Sequence, residues 1–408
     1  MKEKLLSIEN LSILLPEGSD RNHAIKNINI DLHAGETVCI VGESGSGKSL
    51  TARAVMGLLP APHVRVESGK IIFGSNDLVK IDYESLRQIR GSEISMIFQE
   101  PMTALNPVMS IGSQIDEIFR FHVSMSSKER RNKAIDLLES VNLPDPSLIV
   151  NSFPHELSGG QRQRAMIAMA LALSPKILIA DEPTTALDVT TEAQILNLIK
   201  EMQKRYNSGV LFITHDFGVV ADIADRVVVM QDGNLVESGS VEQVLNKPKH
   251  PYTKSLIAAV PSLNPREPRS SSNEKVLEVK NLNKTFGGGK SYFGFGKGSR
   301  VVKAVKDVSI NLYKGETLGI VGESGSGKST LARCVIKLLE SNSGEVILGD
   351  KEITSLNRKE MRPLRTKIQM VFQDPFASLN PYMRLWDQIA EPLKNFGLAS
   401  LPKWCTSS

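Results

Sequence analysis

Gly42-Glu43-Ser44-Gly45-Ser46-Gly47-Lys48-Ser49 recurs letter for letter as Gly322-Glu323-Ser324-Gly325-Ser326-Gly327-Lys328-Ser329, 280 residues later. Both copies fit the phosphate-loop pattern G-x-x-x-x-G-K-[ST]. Each follows a short apolar run, 38–41 and 318–321, that reads as a β-strand, the second interrupted by Gly319. The repeat is wider than the loops. Residues 8–11 pair with 279–282, 24–28 with 304–308, and Phe98-Gln99-Glu100-Pro101 with Phe372-Gln373-Asp374-Pro375. Both of the last run on to Leu-Asn-Pro. Two nucleotide-binding units of one kind are therefore fused. Alternating apolar strands and helical stretches predict an α/β fold with a parallel sheet flanked by helices, and the two phosphate loops make the expected class a P-loop NTPase.

The chain has 408 residues, 41% of them hydrophobic and 23% charged, with a net charge of +4. That balance is ordinary for a globular protein and too weakly basic to argue for nucleic acid. Cys39, Cys334 and Cys405 have no metal-ligand spacing and form no disulfide framework, so the first two are expected as buried apolar fillers. The N-terminus reaches Glu9 and Asn10 before any long apolar stretch and is not read as a signal peptide. No apolar run approaches transmembrane length, so a membrane role is expected to come through a partner. Pro- and Ser-rich residues 261–273 read as a linker, and the Gly-rich stretch 287–298 as a loop. Residues 101–161 read as mainly helical, a candidate helical subdomain about 101–165. The expected units are 1–260, complete, and 275–408, joined by 261–274.

In a phosphate loop, glycines let backbone N–H groups turn toward an anion at a helix N-terminus. Lys48 would reach the β and γ phosphates, and the Ser49 hydroxyl would ligate Mg²⁺. Lys176-Ile177-Leu178-Ile179-Ala180-Asp181-Glu182 is an apolar strand ending in two acids. Such ends lie at the ligand edge of a parallel sheet. There Asp181 can support Mg²⁺ and Glu182 can orient the attacking water. The apolar run 210–213 leads to Thr214 and His215, which could contact the γ phosphate or that water. Leu157-Ser158-Gly159-Gly160-Gln161 precedes a long helix, with Ser158 as its N-cap and two glycines exposing N–H groups at the positive helix end. A nucleotide held by another subunit is the sensible ligand for that end.

In order, Gly42 to Ser49, Gln99, Leu157 to Gln161, Asp181-Glu182, Ala186-Leu187-Asp188 and His215 resemble the Walker A, Q-loop, signature, Walker B with catalytic glutamate, D-loop and switch histidine of an ABC transporter ATPase. With His250-Pro251-Tyr252-Thr253, the chain is similar to the ATP-binding subunits of bacterial dipeptide, oligopeptide and nickel importers, in their fused tandem form. The resemblance implies ATP and Mg²⁺ as cofactors. Ser49, Gln99 and Asp181 would serve the metal in the first unit, and Ser329 and Gln373 in the second. It implies membrane permease subunits, a solute-binding protein and a second ABC ATPase domain as partners, no nucleic acid, and a peripheral place on the cytoplasmic face of the inner membrane. Each ATP would lie between one domain's phosphate loop and the other's Ser158-Gly159-Gly160-Gln161, with Asp188 nearby.

Two departures stand out. The resemblance implies an aromatic that stacks on adenine; Phe286 fills that place in the second unit, but Leu15 stands there in the first, leaving an apolar contact as the alternative to stacking. The spacing of the first unit would put a second signature, Walker B and histidine near positions 432, 456 and 489, past Ser408. The expectation is a truncated or frameshifted product whose second unit holds only Walker A and the Q-loop. The competing expectations are a soluble ABC ATPase acting on nucleic acid or translation, and a non-catalytic remnant.

Overall fold

The computed structural model describes residues 2–100, 104–185, 187–261, 264–265, 267, 272–287, 301–373 and 378–397. Ala186, the Asp374-Pro375 pair, residues 288–298 of the Gly-rich stretch, and 398–408 with Cys405 lie outside them. The chain divides into two compact units, at Pro265 and Arg266.

The first unit opens with strands β1 (Lys4–Leu14), β2 (His23–His33) and β3 (Thr37–Val41), then helix α1 (Lys48–Val55). Strands β4 (Arg65–Phe73) and β5 (Asn76–Asp77), helix α2 (Tyr83–Ile89) and strand β6 (Ile94–Ile97) follow. A helical stretch comes next: α3 (Ile111–His122), α4 (Ser127–Ser140), the short α5 (Pro146–Ile149) and α6 (Gly159–Leu171). Strand β7 (Ile177–Asp181), helix α7 (Val189–Tyr206), strand β8 (Gly209–Ile213), helix α8 (Phe217–Ile223), strand β9 (Arg226–Gln231) and strand β10 (Asn234–Ser240) complete the sheet. Helices α9 (Val241–Asn246) and α10 (Pro251–Ala258) end the unit.

Strands pair in two sheets, β2-β1-β4-β5 and β10-β9-β3-β8-β7-β6. The second is parallel except for its edge strand β10. Its inner strands are apolar without a break because both faces are covered. Alternation decides which side each residue serves. Cys39, Val41, Leu178, Ala180, Val210 and Phe212 join the core shared with the helical stretch, alongside Phe119 and Leu138. Val38, Ile40, Ile177, Ile179, Leu211 and Ile213 join the core under β1, β2 and α1. Each Val, Leu, Ile or Phe among them contributes about 1.5–3 kcal/mol on full burial. The C-terminal ends of β3, β7 and β8 meet at one edge, where 42–49, Asp181-Glu182 and His215 emerge.

The second unit contains β11 (Lys275–Phe286), β12 (Val302–Tyr313), α11 (Lys328–Val335), β13 (Ser343–Leu348), β14 (Lys351–Glu352), α12 (Arg358–Met361) and α13 (Leu385–Asn395). Its sheet, β12-β11-β13-β14, copies β2-β1-β4-β5 of the first unit. The copy reaches the backbone: Asn10 and Asn281 both have φ near +50° (49° and 46°), as do Asn27 and Asp307 (51° and 49°). The ladder register shifts beside Asn10 and beside Asn281, and asparagine tolerates the left-handed conformation needed there.

One expectation fails. Residues 318–321 are not a strand. Val321 is 93% exposed, whereas its counterpart Val41 is fully buried. The cause is pairing. In the first unit β3 lies between β8 and β9, and no described strand of the second unit offers 318–321 an equivalent. Val371, matching Ile97 of β6, is likewise 97% exposed. A strand-forming run without neighbours does not hold its conformation.

Candidate functional site

Helix α1 begins at Gly47, whose φ of +106° suits glycine, and no side chain caps its first turn. Its N–H groups are therefore left for an anion. Gly42 turns the chain out of β3 with φ +148°, and a Cβ there would sit 2.1 Å from the Met230 carbonyl oxygen. Inside the loop, Lys48 Nζ donates to the carbonyls of Gly42 (2.7 Å) and Glu43 (2.8 Å). The Ser46 hydroxyl is buried without a partner among the described residues. Burial pushes the Lys48 pKa down, against the pull of the Glu182, Asp181 and Glu43 carboxylates.

Asp181 ends β7, and Ser49 Oγ donates to its Oδ1 at 2.9 Å. Burial raises the Asp181 carboxyl, opposed by that hydrogen bond. A hydroxyl beside one carboxylate suits Mg²⁺, which takes few protein ligands and fills its octahedron with waters and phosphate oxygens. The next residue, Glu182, sits at φ +46°, a conformation that costs about 1–3 kcal/mol outside glycine. Its carboxylate meets three side chains. Gln99 Nε2 donates to Oε2 at 2.9 Å, and His215 Nδ1 lies 3.2 Å from Oε1. Thr185 Oγ1 also donates to Oε2, at 3.1 Å. Gln99, Glu182 and His215 thus come from three strand ends to one point, as an arrangement to orient a water requires.

The Ser158 group lies apart. Ser158 Oγ accepts from the Gln161 N–H, and the Gln161 side chain accepts from the Ser158 N–H, a closed capping box. Ser158 to Gln161 make no hydrogen bond to residues 42–49 among the described residues. Gly160 instead packs on α7: a Cβ there would be 2.9 Å from Thr191. Asp188 caps α7 through the Thr191 N–H (3.0 Å). Gln163, buried, donates to the Pro183 carbonyl directly after Glu182.

In the second unit Lys328 Nζ bonds the carbonyls of Gly322 (2.5 Å) and Glu323 (2.7 Å), and Gly327 repeats the left-handed helix start at φ +99°. Gly325 also has positive φ, and Lys328 Nζ lies 3.3 Å from Ser326 Oγ. Ser324 belongs to the same turn. Among the described residues Ser329 meets no carboxylate, and Gln373 is exposed. Phe286 ends β11, partly exposed, with Lys284 Nζ 5.2 Å from its ring centre. Leu15 packs half-buried on the core of the first unit.

Three side chains that sequence motifs do not flag also reach the site. Arg21 donates to the Gly45 carbonyl and lies 3.6 Å from Asp232. Thr185 is the second. Tyr252, quoted above only within a four-residue mark, accepts from the Glu43 N–H at 3.0 Å. Loop residues such as Arg21 carry no periodicity, so only the folded contact reveals them.

The family model described as ABC transporter matches residues 25–185 and 305–404. That of the oligopeptide/dipeptide transporter C-terminal region matches 236–294. The glutathione import ATP-binding protein GsiA of Escherichia coli (strain K12) is 45% identical over 424 residues, covering 97% of this chain and 68% of that protein. The protein of the same name from Shigella dysenteriae serotype 1 is equally similar. Among solved structures, the dimeric ATP-binding cassette MJ0796, in a post-hydrolysis state bound to ADP and Pi, matches with a TM-score of 0.53 and 30% identity, covering 58% of this chain and 99% of that one. The cassette cbiO1 from Clostridium perfringens matches with a TM-score of 0.50 and 29% identity, covering 60% and 92%. The chain belongs to the ATP-binding proteins of the ABC transporter family, in the oligopeptide/dipeptide group.

Proposed function

We propose that the first unit hydrolyses ATP at the Lys48 loop to drive import of a small peptide, of which glutathione is the leading candidate. The observation that carries the reading is the convergence of Gln99 and His215 on the strained Glu182, one residue beyond the Ser49–Asp181 pair. Lys48 and the bare N-terminus of α1 bind the phosphates. Ser49 and Asp181 hold Mg²⁺, which neutralises phosphate charge when bound. Glu182 orients the attacking water and takes its proton; His215 fixes that carboxylate from the far side. Gln99 leads into the helical stretch and carries the state of the site toward a permease.

Because Ser158 to Gln161 cap their own helix and face α7 rather than the Lys48 loop, we assign them to the nucleotide of a facing cassette. The working unit is then a pair of first units, from two chains or from this chain and a related subunit. The second unit binds nucleotide through Lys328; among the described residues no carboxylate pairs with Ser329. Permease subunits and a solute-binding protein are the remaining partners, with the chain peripheral to the inner membrane. Among the described residues no helix is long and apolar enough to cross a membrane. Proteoliposomes holding permease subunits and binding protein test the substrate class. Uptake of labelled glutathione should require this chain and ATP, and should stop with Glu182→Gln. ATP-dependent uptake of nickel but of no peptide would overturn the assignment.

A further inference from the structure

The geometry points to Tyr252 as a positioning residue for the phosphate loop, which gives the C-terminal region matched at 236–294 a task in nucleotide binding. The peptide group joining Gly42 to Glu43 is held at both ends. Its carbonyl oxygen accepts from Lys48 Nζ at 2.7 Å, and its N–H donates to the Tyr252 hydroxyl at 3.0 Å. The next carbonyl, of Glu43, accepts from the same ammonium and from the Ser46 N–H at 3.2 Å. Gly42 has no side chain to resist rotation of that peptide, and its tight approach to the Met230 carbonyl forbids one. The restraint must come from outside the loop.

Tyr252 is well placed to supply it. Its ring packs half-buried against the core that includes β3 and β9. The turn before it is clamped to strand β10: Glu237 accepts from the N–H groups of Lys249 (2.8 Å) and His250 (3.0 Å). His250 Nδ1 then caps α10 by accepting from the Tyr252 N–H at 3.3 Å. A fixed hydroxyl thus orients one peptide dipole, and that dipole orients the ammonium that meets phosphate. Hydrogen bonds in such a chain strengthen one another.

The inference rests on residues 42–49 being the nucleotide loop. The test uses the full chain carrying Lys328→Ala, which silences the second loop, and compares it with the same chain carrying Tyr252→Phe as well. The ring and its packing survive; only the hydroxyl goes. Mg-ATP binding should weaken about 2- to 10-fold, the effect of one neutral hydrogen bond. KM should rise in step, kcat should hold, and Tm without nucleotide should fall by no more than the few degrees that one lost hydrogen bond accounts for. Unchanged ATP affinity overturns the proposal, and so does a larger fall in Tm, which reduces Tyr252 to a packing residue. Lys48→Ala in the same background tests the loop itself: ATP binding that survives there removes the premise rather than the role of Tyr252.

Discussion

Asp181 shows how one buried side chain sets stability against chemistry. Burial raises its carboxyl pKa above the ordinary value, so the ionised form is the costly one in the folded state. The sign follows from linkage. The folded chain binds the proton more tightly than the unfolded one, so the deficit is absent below the unfolded range and develops as pH rises through the folded pKa. Asp181→Asn should therefore match the parent in stability at acid pH and exceed it at neutral pH without nucleotide. The gain in Tm is about 2–4 °C for each kcal/mol regained. Mg-ATP should reverse the order, stabilising the parent more than the variant. Thermal melts at pH 4 and pH 7.5, with and without Mg-ATP, check both signs; a variant less stable than the parent at pH 7.5 without nucleotide would contradict the account.

At the scale of elements, the two phosphate loops are a controlled experiment run by the chain on itself. The loops are identical and both build a left-handed glycine start to a helix, α1 and α11, because that geometry is local. The runs that feed them are alike in sequence and differ in outcome. Residues 38–41 lie between two strands, and residues 318–321 pair with none that is described. Hydrogen exchange should separate them: amides 38–41 protected to near the global unfolding limit, amides 318–321 exchanging close to the free rate. Equal protection would refute the pairing argument. The same contrast marks what sequence could carry. Motif order and unbroken apolar runs pointed to the parallel sheet and to strand ends carrying residues 42–49, Asp181, Glu182 and His215, since each is a local pattern. The strand at 318–321 was misread because a strand is a property of neighbours. Arg21 and Tyr252 escaped because their contacts to the loop join residues 24 and 209 positions apart.

For the molecule as a whole, the proposed function has the first unit supply two halves of two different sites. On that function its phosphate loop, Asp181, Glu182 and His215 serve one nucleotide, while Ser158 to Gln161, held on α6 against α7, serve another. On the proposed function, activity is then a property of a pair; the MJ0796 cassette, to which this chain is similar, has a dimeric structure. Mixing complementary variants measures this most directly. Chains carrying Glu182→Gln keep the signature and lose the acid; chains carrying Ser158→Arg keep the acid and lose the signature. Each alone should hydrolyse ATP at about one-hundredth of the parent rate or less. Mixed in equal amounts, half the pairs hold one intact site, and the rate should recover to about a quarter of the parent. A mixture no faster than the average of its two components would contradict the account.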